Sequence, residues 1–575
     1  MPYYIILSLA GLVVLFFWLV EAVRWHLFWL YVWQLKNYHL GRFRAYFSTD
    51  NGKRALFNPI WWIKLILLGV SVLLFGSIFF YEKLTALGFK PEILVWAIPL
   101  IFLFYIFDGC RSIILFLKKK IKLPKLTNKM CFLLPIVFLP LGVIAVVLAK
   151  LLITNIFAPS IGVTLILVLL FIPIILIFDL LTPLIVSILV MLFQPITVLL
   201  RNRILKKAIA KRETLENLLV IGVTGSYGKS SVKEFLRIIL GESFKVVATE
   251  KNINSEIGIA ETILDKVSDE HEIFICEMGA YNRGGIKLLT KITKPKIGVL
   301  TGISNQHLAT FGSQKNIIRA KFELIESLPD EGLAVLNWDS SLIRDNFQNN
   351  LNSIKYGFVK QEDIDLWTEN VQVEKFSVSF DVVFKAGERM KFQLPLIGAQ
   401  SILNFLPALA IAKRLGMEDG EISRGSAKIN AQQSGLQITK NKNNFFVANA
   451  SYSSNFEGVL AHLEYLKIWD TPKIFVMPCL IELGREGPQT HFKIGKKIGE
   501  VCDYLIVVTA DYFSELKRGA LEAGMNPDHI FLIKNPVMQY QKIIELAAPE
   551  GIVFLEGRVS NELLKKLFDF GPEDK

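Results

Sequence analysis

Two rhythms of apolar and polar residues divide the chain. Through about residue 200 the apolar positions come in long unbroken runs, near 5–23, 60–80, 93–116, 132–152 and 161–178. Each approaches the roughly 20 residues that carry a helix across a bilayer. Five spans are therefore predicted. A sixth run, Leu180 to Leu200, follows Asp179 and contains Pro183 and Pro195, which reads as an interfacial or re-entrant segment. Beyond residue 212 the rhythm shortens: apolar stretches of strand length such as LLVIGV, EIFIC, KIGVL, KIFVM, YLIVV and GIVFL alternate with amphipathic helical patterns, the signature of a parallel α/β sheet. Around VQVEKFSVSFDVVFK the residues alternate polar and apolar, which predicts an antiparallel insert. The expected architecture is a multi-span α-helical membrane region over 1–212, a doubly wound P-loop domain over 213–432 and a Rossmann-like domain over 433–575.

Composition sharpens the first half of this reading. The 575-residue chain is 52% hydrophobic with a mean hydropathy of +0.42, too apolar for an ordinary soluble enzyme. Its formal charge of +12 does not point to nucleic acid, because the basic residues cluster between or just after the apolar runs. Residues 24–58 hold Arg24, Lys36, Arg42, Arg44, Lys53 and Arg54; residues 118–129 hold Lys118, Lys119, Lys120, Lys122, Lys125 and Lys129; the exit at 201–212 holds Arg201, Arg203, Lys206, Lys207, Lys211 and Arg212. Placing all three on the cytoplasmic side predicts an odd number of crossings, an outside N-terminus and a cytoplasmic α/β half. The first run lacks a small-residue cleavage pattern and reads as a retained anchor. Asp108 and Arg111 stand one helical turn apart and are expected to pair. Five cysteines without CxxC spacing, Cys110, Cys131, Cys276, Cys479 and Cys502, indicate neither a disulfide framework nor a zinc site.

Candidate chemistry begins directly after the basic exit. LLVIGVTGSYGKSSVKEFLRIIL is a strand, a glycine turn and an amphipathic helix, the order that makes a phosphate-binding loop. Thr224, Gly225, Ser226, Gly228, Lys229, Ser230 and Ser231 form its TGxxGK[ST] core, with Val223 where the longer pattern has glycine. Backbone N–H groups would close on an anion, Lys229 would reach the terminal phosphates of ATP, and Ser230 would hold Mg2+. Glu277 at the end of a buried strand and His307 just past another are candidates to face the same site, since ligands gather at the carboxyl ends of strands in doubly wound sheets.

These residues resemble the Mur ligase superfamily, and within it the branch that adds D-alanyl-D-alanine. The resemblance covers about 215–560 and rests on TGSYGKSS, TEKNINSEIG, CEMGAYNRGGIKLLTKITKP, NQHLATFGSQKNIIRAKFELIESLPDEGLAVLN, GAQSILNFLPALAIA and IELG with the following His491. It implies an ATP-dependent carboxylate–amine ligase that works through an acyl phosphate on a cell-wall precursor, UDP- or lipid-linked, with an amino acid or dipeptide as amine. Lys229 would hold the transferring phosphate, Ser230 and Glu277 one magnesium and His307 the second, Lys321 would carry a carbamate, Asn404 would read adenine, and Thr249, Asn252 and Asn254 would contact substrate.

The sequence also departs from the family pattern. Where the last domain normally carries Asp-Asp-Ser-Tyr-Asn-Ala-Asn-Pro, this chain has NASYSSNF, so Asn449 and Ala450 replace the aspartates and Phe456 the proline. Leu436 follows Gly435 in place of arginine, Gln400-Ser401 replaces His-Asn, and Glu556 replaces a late lysine. The UDP-gripping first domain of these ligases is replaced by membrane helices. Two further readings follow: a nucleotide-binding scaffold for cell-wall synthesis enzymes that has lost ligase chemistry, and a poly-γ-glutamate-type ligase.

Overall fold

The computed structural model describes residues 3–36, 38, 40–47, 49–79, 97–157, 161–304, 308–348, 351–451, 454–470 and 472–568. The chain forms two compact units, Met1–Leu200 and Arg201–Lys575.

The first unit is helical: α1 (Tyr3–Leu35), α2 (Pro59–Phe79), α3 (Ala97–Leu117), α4 (Asn128–Phe157) and α5 (Ile161–Leu192), with two short helices between α1 and α2. Among the described residues five helices are long and apolar enough to cross a membrane, the number read from the runs. Leu180 is not the start of a separate segment. It lies inside α5, which continues through Pro173 and Pro183 to Leu192, and the break comes at Phe193, before α6 (Gln194–Thr214). Arg24 likewise belongs to no loop, because α1 extends through the aromatic stretch, burying Trp29 and Trp33. The Arg24 guanidinium sits 3.6 Å from Asp108, and Arg111 pairs with the same carboxylate at 3.7 Å.

At the centre of this unit, Lys64 of α2 lies 2.8 Å from Glu21 of α1 and 2.6 Å from Asp179 of α5. Trp18 and Tyr105 donate to the Asp179 carboxylate at 2.8 and 2.9 Å. Charged side chains at such depth persist only when paired and hydrogen-bonded, and these are.

The second unit holds two sheets. The larger has nine strands in the order β2-β3-β1-β4-β5-β6-β7-β8-β9. β1 (Leu219–Thr224), β2 (Val246–Ala248), β3 (Ile273–Glu277), β4 (Ile297–Leu300), β5 (Leu333–Asn337) and β6 (Asn352–Tyr356) run parallel; the near-continuous apolar residues of β1, β3, β4 and β5 are buried on both faces, while β2 and β6 are only partly covered. β7 (Leu366–Val373), β8 (Val378–Phe384) and β9 (Arg389–Leu394) are antiparallel. They do not form a separate insert. β7 joins β6 through Tyr356 and Leu366, so the meander extends the parallel sheet and makes it mixed.

The smaller sheet has six strands in the order β10-β11-β15-β12-β13-β14. Only β10 (Gln437–Lys440) runs antiparallel to its neighbour β11 (Phe446–Ala450). β12 (Lys473–Met477), β13 (Tyr504–Val507), β14 (Ile530–Leu532) and β15 (Ile552–Glu556) are parallel and covered on both faces.

Part of the basic exit serves the fold. Arg212 is buried and donates to the carbonyls of Thr293, Leu215 and Leu218, and Lys211 donates to that of Leu264. These two residues are spent on backbone carbonyls, and Leu205 and Ala208 pack into the core beside Val220 and Phe274.

Candidate nucleotide and metal site

The site starts from one local conflict between chain direction and side-chain bulk. β1 ends at Thr224, buried and donating to the Met278 carbonyl at 2.8 Å, and α7 (Lys229–Leu240) starts only five residues later. The intervening turn needs a left-handed residue at its helix cap, and Gly228 supplies it with φ +77°. A side chain there would strike the amide oxygen of Asn404, from the helix Gln400–Arg414, which thus lies directly against the loop. α7 then buries Val232, Phe235, Leu236, Ile239 and Leu240, a 3.6-residue stripe that presses it onto the sheet and aims its N-terminus at the end of β1. The loop is tied from the next strand: Ser226 N–H donates to the Gly302 carbonyl at 2.7 Å, and Ser304 N–H to Ser226 Oγ at 3.0 Å.

Lys229 folds back over this loop. Its ammonium donates to the Gly225 and Ser226 carbonyls at 2.8 and 3.4 Å. Burial lowers its affinity for a proton, which the charge of Glu277 partly restores. Ser230 Oγ donates to Glu277 Oε2 at 2.7 Å, and Asn254 Nδ2 to Oε1 at 2.9 Å. Glu277 is 2% exposed at the end of β3. Thr249 is fully buried behind it and accepts the Glu277 N–H at 3.1 Å, so Thr249 supports the carboxylate rather than presenting its hydroxyl at the surface. Asn252 and Ser231 are half-buried and buried beside these elements.

Lys321, on the helix Gln314–Glu326, is 4% exposed. Its amine is pushed down to about 7, first by burial and then by the charge of Lys229, while Glu277 opposes the shift. Lys229, Glu277 and Lys321 therefore act on one another, although they come from three separate elements. His307 lies outside the described residues.

No group of three or more His, Cys, Asp or Glu side chains converges among the described residues. A magnesium bound together with phosphates requires fewer: it keeps its waters and takes one or two protein oxygens. The Ser230 hydroxyl and the Glu277 carboxylate, adjacent hard oxygen donors beside the phosphate loop, fit that requirement. Lys321 fits a carbamate, since only a neutral amine attacks CO2 and burial keeps much of this one neutral near pH 7.

The departures noted in the last domain have defined surroundings. Glu556, wholly buried at the end of β15, lies 2.6 Å from His462 Nδ1, so a carboxylate–imidazole pair stands where the family has a lysine. Asn449 Oδ1 accepts from Ser451 N–H, a local turn contact. His491 is buried with both ring nitrogens engaged, by Leu480 N–H at 2.8 Å and the Gly487 carbonyl at 2.6 Å, which makes it a brace for the loop after β12. Sequence reasoning missed Lys233 and Glu457. Lys233, one turn after Lys229, is wholly buried beside Glu277. Glu457 hydrogen-bonds Ser304, and burial raises its carboxyl above the usual range. An i, i+4 lysine pair on the loop helix was the available signal for the first.

Residues 223–412 match the family described as Mur ligase middle domain. The UDP-N-acetylmuramoyl-tripeptide–D-alanyl-D-alanine ligase of Synechocystis sp. is 30% identical over 317 residues, covering 53% of this chain and 64% of the relative. The enzyme of the same name from Escherichia coli K12 is 28% identical over 279 residues, covering 48% and 61%. The chain thus spans less than two thirds of the length of these relatives. Among solved structures, MurF from Acinetobacter baumannii superimposes with a TM-score of 0.58 at 22% identity over 64% of this chain and 81% of that one. MurF ligase from Thermotoga maritima in complex with ADP gives 0.55 at 23% identity over 64% and 82%. These two likenesses show the fold.

Proposed function

We propose that this chain, MurF-like over its second unit and carrying a Mur ligase middle domain, is a membrane-anchored, ATP-dependent carboxylate–amine ligase acting on a peptidoglycan precursor. The observation that carries the reading is the Ser230–Glu277 pair at the carboxyl end of β3, with Lys229 folded over the loop after β1 and a buried Lys321 whose amine responds to the charges of Lys229 and Glu277. A lone phosphate loop would fit any nucleotide-binding protein. A phosphate loop with a dehydrated lysine held near neutrality beside a carboxylate fits the family's ligase chemistry.

In this reading the loop N–H groups and Lys229 bind the β- and γ-phosphates of ATP, and Asn404 takes the adenine. An acceptor carboxylate oxygen attacks the γ-phosphorus and ADP leaves. The neutral amine of the second substrate then attacks the acyl carbon, and inorganic phosphate departs as the C–N bond forms. Magnesium at Ser230 and Glu277 would offset phosphate charge, and Lys321 as its carbamate would add a second acid for that purpose. The chain's own work is positioning and charge compensation, since the phosphoryl group itself needs little covalent help. Asn252 and Asn254 would line the acceptor side, with Thr249 bracing the Glu277 backbone behind them.

The amine is D-alanyl-D-alanine or a related short peptide, by similarity to relatives with that name. The acceptor is lipid-linked: the first unit, with five helices long and apolar enough to span a bilayer, stands where a UDP-gripping domain is expected. The Glu556–His462 pair in place of a lysine favours a second reading, a nucleotide-binding scaffold without turnover. Phosphate release from ATP with both substrates present, followed by the mass of the product, tests the choice. Release that requires both acceptor and amine supports the ligase; nucleotide binding without any release in their presence rejects it. Tight binding of the UDP-linked acceptor alone rejects the lipid-linked form.

A further inference from the structure

Lys233 is a buried cation with no part in the chemistry described so far. It follows Val232 on α7, where a leucine or methionine would fill the same space without desolvating a charge, a step that costs several kcal/mol unless replaced by ionic contacts and hydrogen bonds. What replaces water here is specific. The Lys233 ammonium donates to the Lys251 carbonyl at 2.5 Å, and it lies 3.3 Å from the Glu234 carboxylate and 4.0 Å from Glu277 Oε2.

The carbonyl it holds belongs to a strained position. Lys251 has φ +42°, a left-handed conformation that non-glycine residues adopt only under external constraint. The strain sits in the middle of a segment wrapped round Glu277. Thr249 Oγ1 accepts the Glu277 N–H, Asn254 Nδ2 donates to its Oε1, and the Asn254 carbonyl accepts Gly279 N–H at 2.9 Å. Both ends of the segment are thus tied to β3 and the loop after it, while its strained centre is tied to the phosphate-loop helix by one side chain.

We propose that Lys233 is a positioning residue: it latches segment 249–254 across Glu277, so that the helix that binds phosphate also orders the acceptor side of the site. What the segment receives rests on the ligase reading; the latch does not. The ammonium also places a positive charge 4.0 Å from Glu277, which weakens rather than strengthens the hold on a divalent cation there.

The test is Lys233→Met in the full chain in detergent micelles. Methionine matches the length and lets the core close. Three quantities are read: hydrogen exchange across 249–256, the Mg2+ concentration for half-maximal binding of ADP, and Tm. The latch predicts exchange of the 250–254 amides faster by roughly tenfold, the scale of losing one charged hydrogen bond, with Mg2+ half-saturation unchanged or lower and Tm retained. Lys233→Arg, which keeps a donor, restores part of the protection. Unchanged exchange at 250–254 overturns the proposal, as does loss of protection along the whole of α7 with a fallen Tm, which marks Lys233 as core. A raised Mg2+ requirement overturns it too, since that outcome makes Lys233 part of the metal site. If the unsubstituted protein fails to bind ADP with Mg2+, the ligase reading falls, while the exchange comparison still decides the latch.

Discussion

In the helical bundle, Lys64 lies 2.8 Å from Glu21 and 2.6 Å from Asp179, with Trp18 and Tyr105 completing the Asp179 shell. At the glycine loop after β1, Lys229 donates, among the described residues, only to carbonyls of its own loop. Lys321, 4% exposed, forms no hydrogen bond among the described residues, and its amine is driven down to about 7. Both regions take lysines out of water. One answers the desolvation with hydrogen-bonded carboxylates, and the other answers Lys229 with loop carbonyls and the charge of Glu277. A buried charge answered within the fold contributes architecture. A buried cation whose hydrogen bonds go to carbonyls rather than to a carboxylate is the kind of group an anionic ligand can use.

Exchanging each lysine for methionine breaks the comparison at its strongest point. Lys229→Met is expected to lower ATP-dependent turnover roughly 10³-fold or more, the scale of removing a group that compensates transferring-phosphate charge, with Tm held or raised. Lys64→Met leaves the buried Asp179 without its cation and Glu21 with Arg24 alone at 3.9 Å, and should destabilise the bundle by about 3–5 kcal/mol. Thermal unfolding in detergent and a phosphate-release assay read both. The simultaneous change of Lys64→Met, Glu21→Gln and Asp179→Asn should recover most of that stability. If Lys64→Met is stable and Lys229→Met unfolds, the assignment of architecture and chemistry to the two regions is reversed.

Lys321 sharpens the difference through pH. Unfolded, its amine keeps a proton until pH rises to about 10; folded, it releases the proton near 7. Between those values the unfolded state binds the extra proton, so this residue makes stability rise with pH, by up to about 1.4 kcal/mol per unit. Below 7 the folded state must take the proton, and the penalty is complete. Denaturation from pH 7 to 9.5 in bicarbonate-free buffer should show the slope, and Lys321→Met should flatten it. Activity should fall roughly tenfold on removing CO2, the scale of losing one outer charge contact to a bound metal, and return with bicarbonate. A slope unaffected by Lys321→Met dissociates this residue from the site.

The pattern of legibility follows how local each feature is. The approach of Glu277 to the turn that carries Lys229 and Ser230 was readable because a strand, a glycine turn and a helix sit in one short stretch, and a carboxylate at a strand end has few places to go. Lys233 was not, because a helical wheel shows its direction but not the Lys251 carbonyl that will meet it. The five apolar helices were legible from run length, while the boundary at Leu180 was misread: Pro183 suggested a break, yet prolines are tolerated within long apolar helices, and α5 runs through it. Arg24 looked like a loop charge because aromatic residues followed Val20; those aromatics continue α1 and bury its face. The antiparallel meander was visible in its alternation, but its attachment to β6 through Tyr356 and Leu366 depends on contacts no local pattern carries. The Lys64–Asp179 pair spans 115 residues and left no trace in the sequence.

The smallest expected effect tests whether charge in the bundle is answered from within. Asp108 has two guanidinium neighbours at nearly equal distance, Arg24 at 3.6 Å and Arg111 at 3.7 Å. Distance alone would make them equivalent, but the Arg24 side chain is 9% exposed and that of Arg111 49%. An exposed pair is screened and contributes about 0–1 kcal/mol, whereas removing a buried partner strands the other charge. Arg111→Gln should therefore shift Tm in detergent by no more than a degree or two for a unit of this size, about what 0.5 kcal/mol gives, and Arg24→Gln clearly more. Equal losses would mean that Asp108 depends on a half-exposed cation for its neutralisation. The bundle would then resemble the nucleotide loop in leaving charge open to its surroundings, and the contrast between the two regions would lose its basis.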